Sequence, residues 1–129
     1  MILRTGVDLV EISRFKHLKP EIRQRFIERI FIPEEIQEFG DSDQRLAAGF
    51  AAKEAASKAL GCGIGPISWH EISLTHLPNG EPVIQFSGKA AALAAEMGLR
   101  QWSISISHSK THAIAMVVAL GVQDLDIKK

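Results

Sequence analysis

The chain has 129 residues, 46% of them hydrophobic and 23% charged, a balance that supports one compact core without disulfides or structural metals. Its formal net charge of zero argues against a role in coating nucleic acid, and its single cysteine, Cys62, excludes an internal disulfide. No apolar run reaches the roughly 20 residues of a membrane helix, and the N-terminus lacks the features of a secretory signal, so one domain spanning 1–129 in a reducing cytoplasm is expected.

Leu3 to Val10, apolar and rich in branched residues, reads as a strand that carries one carboxylate, Asp8, in its second half. A helix is predicted near Glu11 to Leu18. Pro20 then opens a second one, with Ile22, Phe26, Ile27 and Ile30 at helical spacing, and Pro33 opens a short third one that Gly40 closes. The longest helix starts after Ser42 or Asp43, either of which can cap it, and stops at Gly61. A glycine-rich loop, Gly61 to Pro66, leads to strands Glu71 to Leu77 and Pro82 to Phe86, joined by the turn signal Pro78-Asn79-Gly80. Ser87 is positioned to cap a final helix that ends at Gly98, and a second hairpin, Trp102 to Ser107 with Ala113 to Leu120, closes the chain. Strands at both ends with helices between them indicate an α+β fold, its helices packed on a mostly antiparallel sheet.

On a helical wheel, Glu54 and Lys58 fall between Ala47, Phe50 and Ala51, on the apolar side of the longest helix. Burying charge costs several kcal/mol per ion unless the ion is paired or binds a ligand, so the two are either a packing pair or part of a site. Asp8 raises the same question, since aspartate is disfavoured in strands; it is a capping carboxylate or a second site acid. Two buried carboxylates meeting at one spot repel unless a cation lies between them, and magnesium, which binds through one or two carboxylates, waters and phosphates, suits that arrangement. The serines of Ser103 to Ser109 face one way along a strand that delivers His108 to its end beside Lys110, a phosphate cradle or simply a turn. His17, His70, His76 and His112 show no metal-ligand spacing with Cys62 and receive no role. The Gly61 to Gly65 loop follows a helix end and lacks the lysine and hydroxyl of a nucleotide-binding P-loop. Arg14, Lys16, Lys19, Arg23, Arg25 and Arg29 precede an acidic run, Glu34 to Asp43; these are either solvated helix faces or a surface for an acidic partner.

Taken together, Gly6-Val-Asp8, Phe50-Ala-Ala-Lys-Glu-Ala-Ala-Ser-Lys58, Gly61-Cys-Gly-Ile-Gly65, Asn79-Gly-Glu-Pro82 and Ser105-Ile-Ser-His-Ser109 resemble the holo-acyl-carrier-protein synthase family of 4′-phosphopantetheinyl transferases, in order and nearly end to end. The resemblance implies that a carrier-protein serine attacks the β-phosphate of coenzyme A and releases adenosine 3′,5′-bisphosphate, with catalysis by positioning and charge neutralisation. It implies that Asp8 and Glu54 hold magnesium, that Lys58 offsets diphosphate charge and that His108 contacts a coenzyme A phosphate. Lys53, Gly65 and Pro82 fall around the nucleotide and pantetheine. Arg14 meets the acidic helix of acyl carrier protein, with Arg23 and Arg25 extending the patch. It further implies a cytoplasmic homotrimer with active sites between subunits, serving fatty acid biosynthesis; the proton of the serine goes to Glu54 or to a water on the metal. One position departs from the family. Members commonly carry a basic residue directly before the phenylalanine of the long-helix motif, where this chain has Gly49, so coenzyme affinity or carrier choice shifts unless Arg45 compensates. Two rival readings share these residues: a catalytically impaired subunit that only binds the carrier, and a metal-dependent diphosphate hydrolase.

Overall fold

In the computed structural model, which describes residues 1–122, the apolar N-terminus forms β1 (Ile2–Glu11), followed by α1 (Ser13–Lys16), α2 (Pro20–Ile30) and α3 (Pro33–Phe39). The long helix α4 (Asp43–Ala59) leads through the glycine-rich loop to a hairpin of β2 (Ile72–His76) and β3 (Pro82–Phe86). Helix α5 (Gly88–Glu96) and a second hairpin, β4 (Leu99–His108) with β5 (His112–Gly121), complete the chain. Positions 123–129, the end of the single domain expected from sequence, lie outside the described residues.

The strands form two antiparallel sheets, one ordered β1-β5-β4 and the other a β2-β3 hairpin, so the expected α+β architecture is present. The first strand runs one residue further than predicted because Glu11 still pairs with His112 of β5, and this leaves α1 as a single turn. Ser42 caps α4, its hydroxyl accepting from Arg45 N at 3.2 Å. Ser87 does not cap α5. Its hydroxyl makes no capping bond, and the Glu71 carboxylate instead reaches across to accept from the backbone N–H groups of Lys89 and Ala90, while its other oxygen accepts from Ser68 N. Those bonds to the ionised form hold the Glu71 carboxyl below its ordinary range.

The core lies between α4 and the inner face of the three-stranded sheet. There β5 presents Ala113, Ala115, Val117 and Ala119, each fully buried, to the alanines of the helix. Small residues on both surfaces let helix and sheet approach closely, and Gly6 marks the tightest crossing: a Cβ at that position would lie 1.8 Å from the carbonyl oxygen of Ala55. Gly6→Ala is therefore expected to destabilise the fold by about 3 kcal/mol, at the upper end of overpacking costs, measurable as a lowered urea midpoint. The opposite face of the sheet is apolar and open, with Leu3, Val7 and Leu9 of β1 beside Ile114 and Met116 of β5. The serines of β4 fall on that open face as well, since Ser105 pairs with Met116 and Ser107 with Ile114.

Candidate active site

The close crossing at Gly6 sets the next inward residue of β1, Asp8, against the C-terminal half of α4. Lys58 Nζ donates to Asp8 Oδ1 at 3.2 Å and to the carbonyl of Val7 at 3.0 Å, with the lysine side chain 50% exposed and the aspartate 16%. Glu54, one helical turn before Lys58, is half-buried in the same corner. Burial above all, and then the charge of Asp8, push its carboxyl above the ordinary glutamate range, while Lys58 and Arg14 pull it down. Arg14, on α1, lies over the Phe50 ring with its guanidinium carbon 5.0 Å from the ring centre. Two acids and two cations thus share one corner, and the acids feel each other's charge.

The donors of that corner are carboxylate oxygens, the ligand type that magnesium takes. No group of three or more histidine, cysteine, aspartate or glutamate side chains suited to a metal occurs among the described residues, so there is no closed protein cage. Two neighbouring carboxylates, Asp8 and Glu54, the latter raised in proton affinity by burial and then by Asp8, are a donor set that magnesium uses when waters and phosphate oxygens complete its shell.

A separate cleft of about 450 Å³ opens on the same inner side of the sheet, toward the N-terminal end of α4. His108 and Pro82 line it with Arg45, Glu38 and His76, above apolar walls such as Ile104. The Gln44 amide N–H donates to His108 Nε2 at 2.8 Å. Asp8 and His108 both face the helix but from opposite edges of the sheet: Asp8 pairs with Ala115, which pairs with Ile106, and His108 is one step further along. Along α4, Gln44 and Glu54 are separated by ten residues, about 15 Å of helix. The corner and the cleft thus lie toward opposite ends of α4.

Several sequence expectations change in space. The wheel places Glu54 and Lys58 inward, yet Lys58 is half exposed and takes Asp8 as its partner, because α4 is covered on nearly every side and its wheel carries little contrast. Lys53, expected around the nucleotide and pantetheine, lies in the core: its ammonium is fully buried, donating to Glu35 Oε1 at 2.6 Å and to the carbonyls of Trp69 and Ile72 at 3.1 and 2.5 Å. Glu35 in turn accepts from Ile32 N and Leu74 N, both at 3.0 Å, so the pair joins α3, α4 and β2. Gly65 is not among the residues lining the cleft. Arg23 is engaged within the chain by Asp43 at 2.6 Å, whereas Arg25 stays exposed beside Ile22, Phe26 and Arg29. His76, given no role from sequence, lines the cleft and donates through Nδ1 to Glu38 at 2.6 Å; nothing in its spacing signals this, since the partners are far apart in the chain. At Gly49, a Cβ would lie 2.8 Å from the Phe39 ring and 2.9 Å from that of Phe31, two rings packed edge to face over the helix. Arg45, the suggested substitute for a basic side chain there, does line the cleft, its guanidinium donating to the Glu38 carbonyl at 3.3 Å.

Known proteins resemble this chain over most of its length. Residues 4–117 match the model of the family described as the 4′-phosphopantetheinyl transferase superfamily. A holo-[acyl-carrier-protein] synthase of Herpetosiphon aurantiacus is 43% identical over 127 residues, covering 93% of this chain and 100% of that protein. One from Dehalococcoides mccartyi is 44% identical over 118 residues, covering 92% and 98%. Among solved structures, the Helicobacter pylori holo-[acyl-carrier-protein] synthase in complex with coenzyme A superposes with a TM-score of 0.82 at 35% identity, over 90% of this chain and 99% of that one.

Proposed function

This chain belongs to the 4′-phosphopantetheinyl transferase superfamily, and on that premise we propose how it transfers the phosphopantetheine of coenzyme A to a serine of an apo acyl carrier protein. The observation that carries the reading is the meeting of Asp8, Glu54 and Lys58 in one corner. Asp8 and Glu54 would hold magnesium, which when bound supplies positive charge to the diphosphate oxygens. Lys58, half exposed and already aimed at Asp8, swings its ammonium onto the same diphosphate. The serine oxygen forms a bond to the β-phosphorus as the bond to the bridging oxygen breaks, its proton passing to the Glu54 carboxylate or to water, and adenosine 3′,5′-bisphosphate leaves. The His108 end of the cleft would contact a phosphate of the coenzyme, where Pro82 supports its apolar parts.

The carrier docks on α1 and α2, where Arg14 adjoins the corner and Arg25 and Arg29 are exposed beside Ile22; Arg23, committed to Asp43, contributes less. Attraction for an acidic carrier should weaken with salt. The open apolar face of Leu3, Val7, Leu9, Ile114 and Met116 supports a homotrimer in which copies cover it and active sites form between subunits. A cytoplasmic role in fatty acid biosynthesis completes the proposal; among the described residues no helix is long and apolar enough to cross a membrane.

Incubation with coenzyme A, magnesium and an apo carrier is expected to add the mass of one phosphopantetheine to the carrier. No gain with any apo carrier removes the transferase reading, and release of adenosine bisphosphate without carrier points to hydrolysis instead.

A further inference from the structure

The cleft that receives the anionic end of the coenzyme in this reading contains an acid. Glu38, near the end of α3, lines it together with Arg45, His76 and His108, and among the described lining residues it is the single carboxylate. Its side chain is 39% exposed and accepts from His76 Nδ1 at 2.6 Å, joining α3 to the end of β2. A carboxylate in an anion cleft is unfavourable to the ligand through space, and the hydrogen bond to His76 parks that charge at a fixed position on the rim.

We propose that Glu38 tunes coenzyme affinity by weakening anion binding in the cleft, and that His76 acts by restraining and screening it rather than by touching the coenzyme. The proposal rests on the coenzyme reading above and adds to it. A neutral carboxamide keeps the shape and can still accept from His76, so Glu38→Gln removes the charge alone. Its KM for coenzyme A is expected to fall about three- to tenfold, the effect of one unit charge across a partly solvated cleft, and the gain should shrink as salt rises. The change should fall in KM rather than kcat.

His76→Asn frees the carboxylate and is expected to raise KM, and a double-mutant cycle separates the explanations. In the Glu38→Gln background the His76→Asn penalty should vanish; if it persists, His76 binds the ligand directly and the proposal is overturned. An unchanged or raised KM in Glu38→Gln overturns it as well. Absence of transfer by the unmodified protein would instead remove the parent reading. Thermal melts of all three variants identify any that misfold, and direct titration of coenzyme A into the folded ones gives the same comparison without turnover.

Discussion

Glu54→Gln is expected to lower phosphopantetheine transfer by about 10²–10³-fold while leaving the protein as stable as before, or slightly more so. The carboxamide fits the same half-buried space, but as a neutral group it would not balance the cation proposed to lie between Asp8 and Glu54. The stability gain follows from the same physics that marks the residue. Burial and the Asp8 charge both disfavour ionised Glu54, so a neutral group relieves a cost the fold carries for function. Steady-state transfer assays beside thermal melts test the pair of outcomes. Activity retained within about tenfold contradicts the metal role, since removal of one preorganised charged group from such a site costs more than that.

Lys53→Met is expected to have the largest effect on stability, about 3–5 kcal/mol, because it strands the buried Glu35 carboxylate without its cation. Burial already pulls the Lys53 amine below its ordinary pKa, with Glu35 opposing that fall, so the ammonium depends on its partner. The double variant Glu35→Gln with Lys53→Met should recover only part of the loss. It removes the stranded charge, but the carbonyls of Trp69 and Ile72 still lose their donor. Chemical unfolding of the single and double variants measures both terms. Equal stability of Lys53→Met and the unmodified protein would show that water reaches Glu35.

The element order was legible because its punctuation is local. Pro20, Pro33, Ser42 and the Asn79-Gly80 turn each act within a few residues, and each stands at the boundary that its chemistry predicts. What the sequence concealed is carried by partners distant along the chain. Glu71 caps a helix that starts 17 positions later, displacing the adjacent Ser87, and Glu35 meets Lys53 across 18 positions. For the site, the motif order identified Asp8, Glu54, Lys58 and His108 as worth following, and the first three meet. Lys53 shares the same motif yet turns to the core, because a run of residues on one helix points in every direction, and only the packed structure says which direction is solvent. Glu38 and His76 belong to no motif, and only the fold brings them together at the cleft.

Gly49 constrains how this chain can change. With Phe31 and Phe39 seated against its bare backbone, a larger residue installed there alone must first evict an aromatic ring, whatever benefit its side chain brings. A basic residue at this position therefore requires both Phe31 and Phe39 to give way.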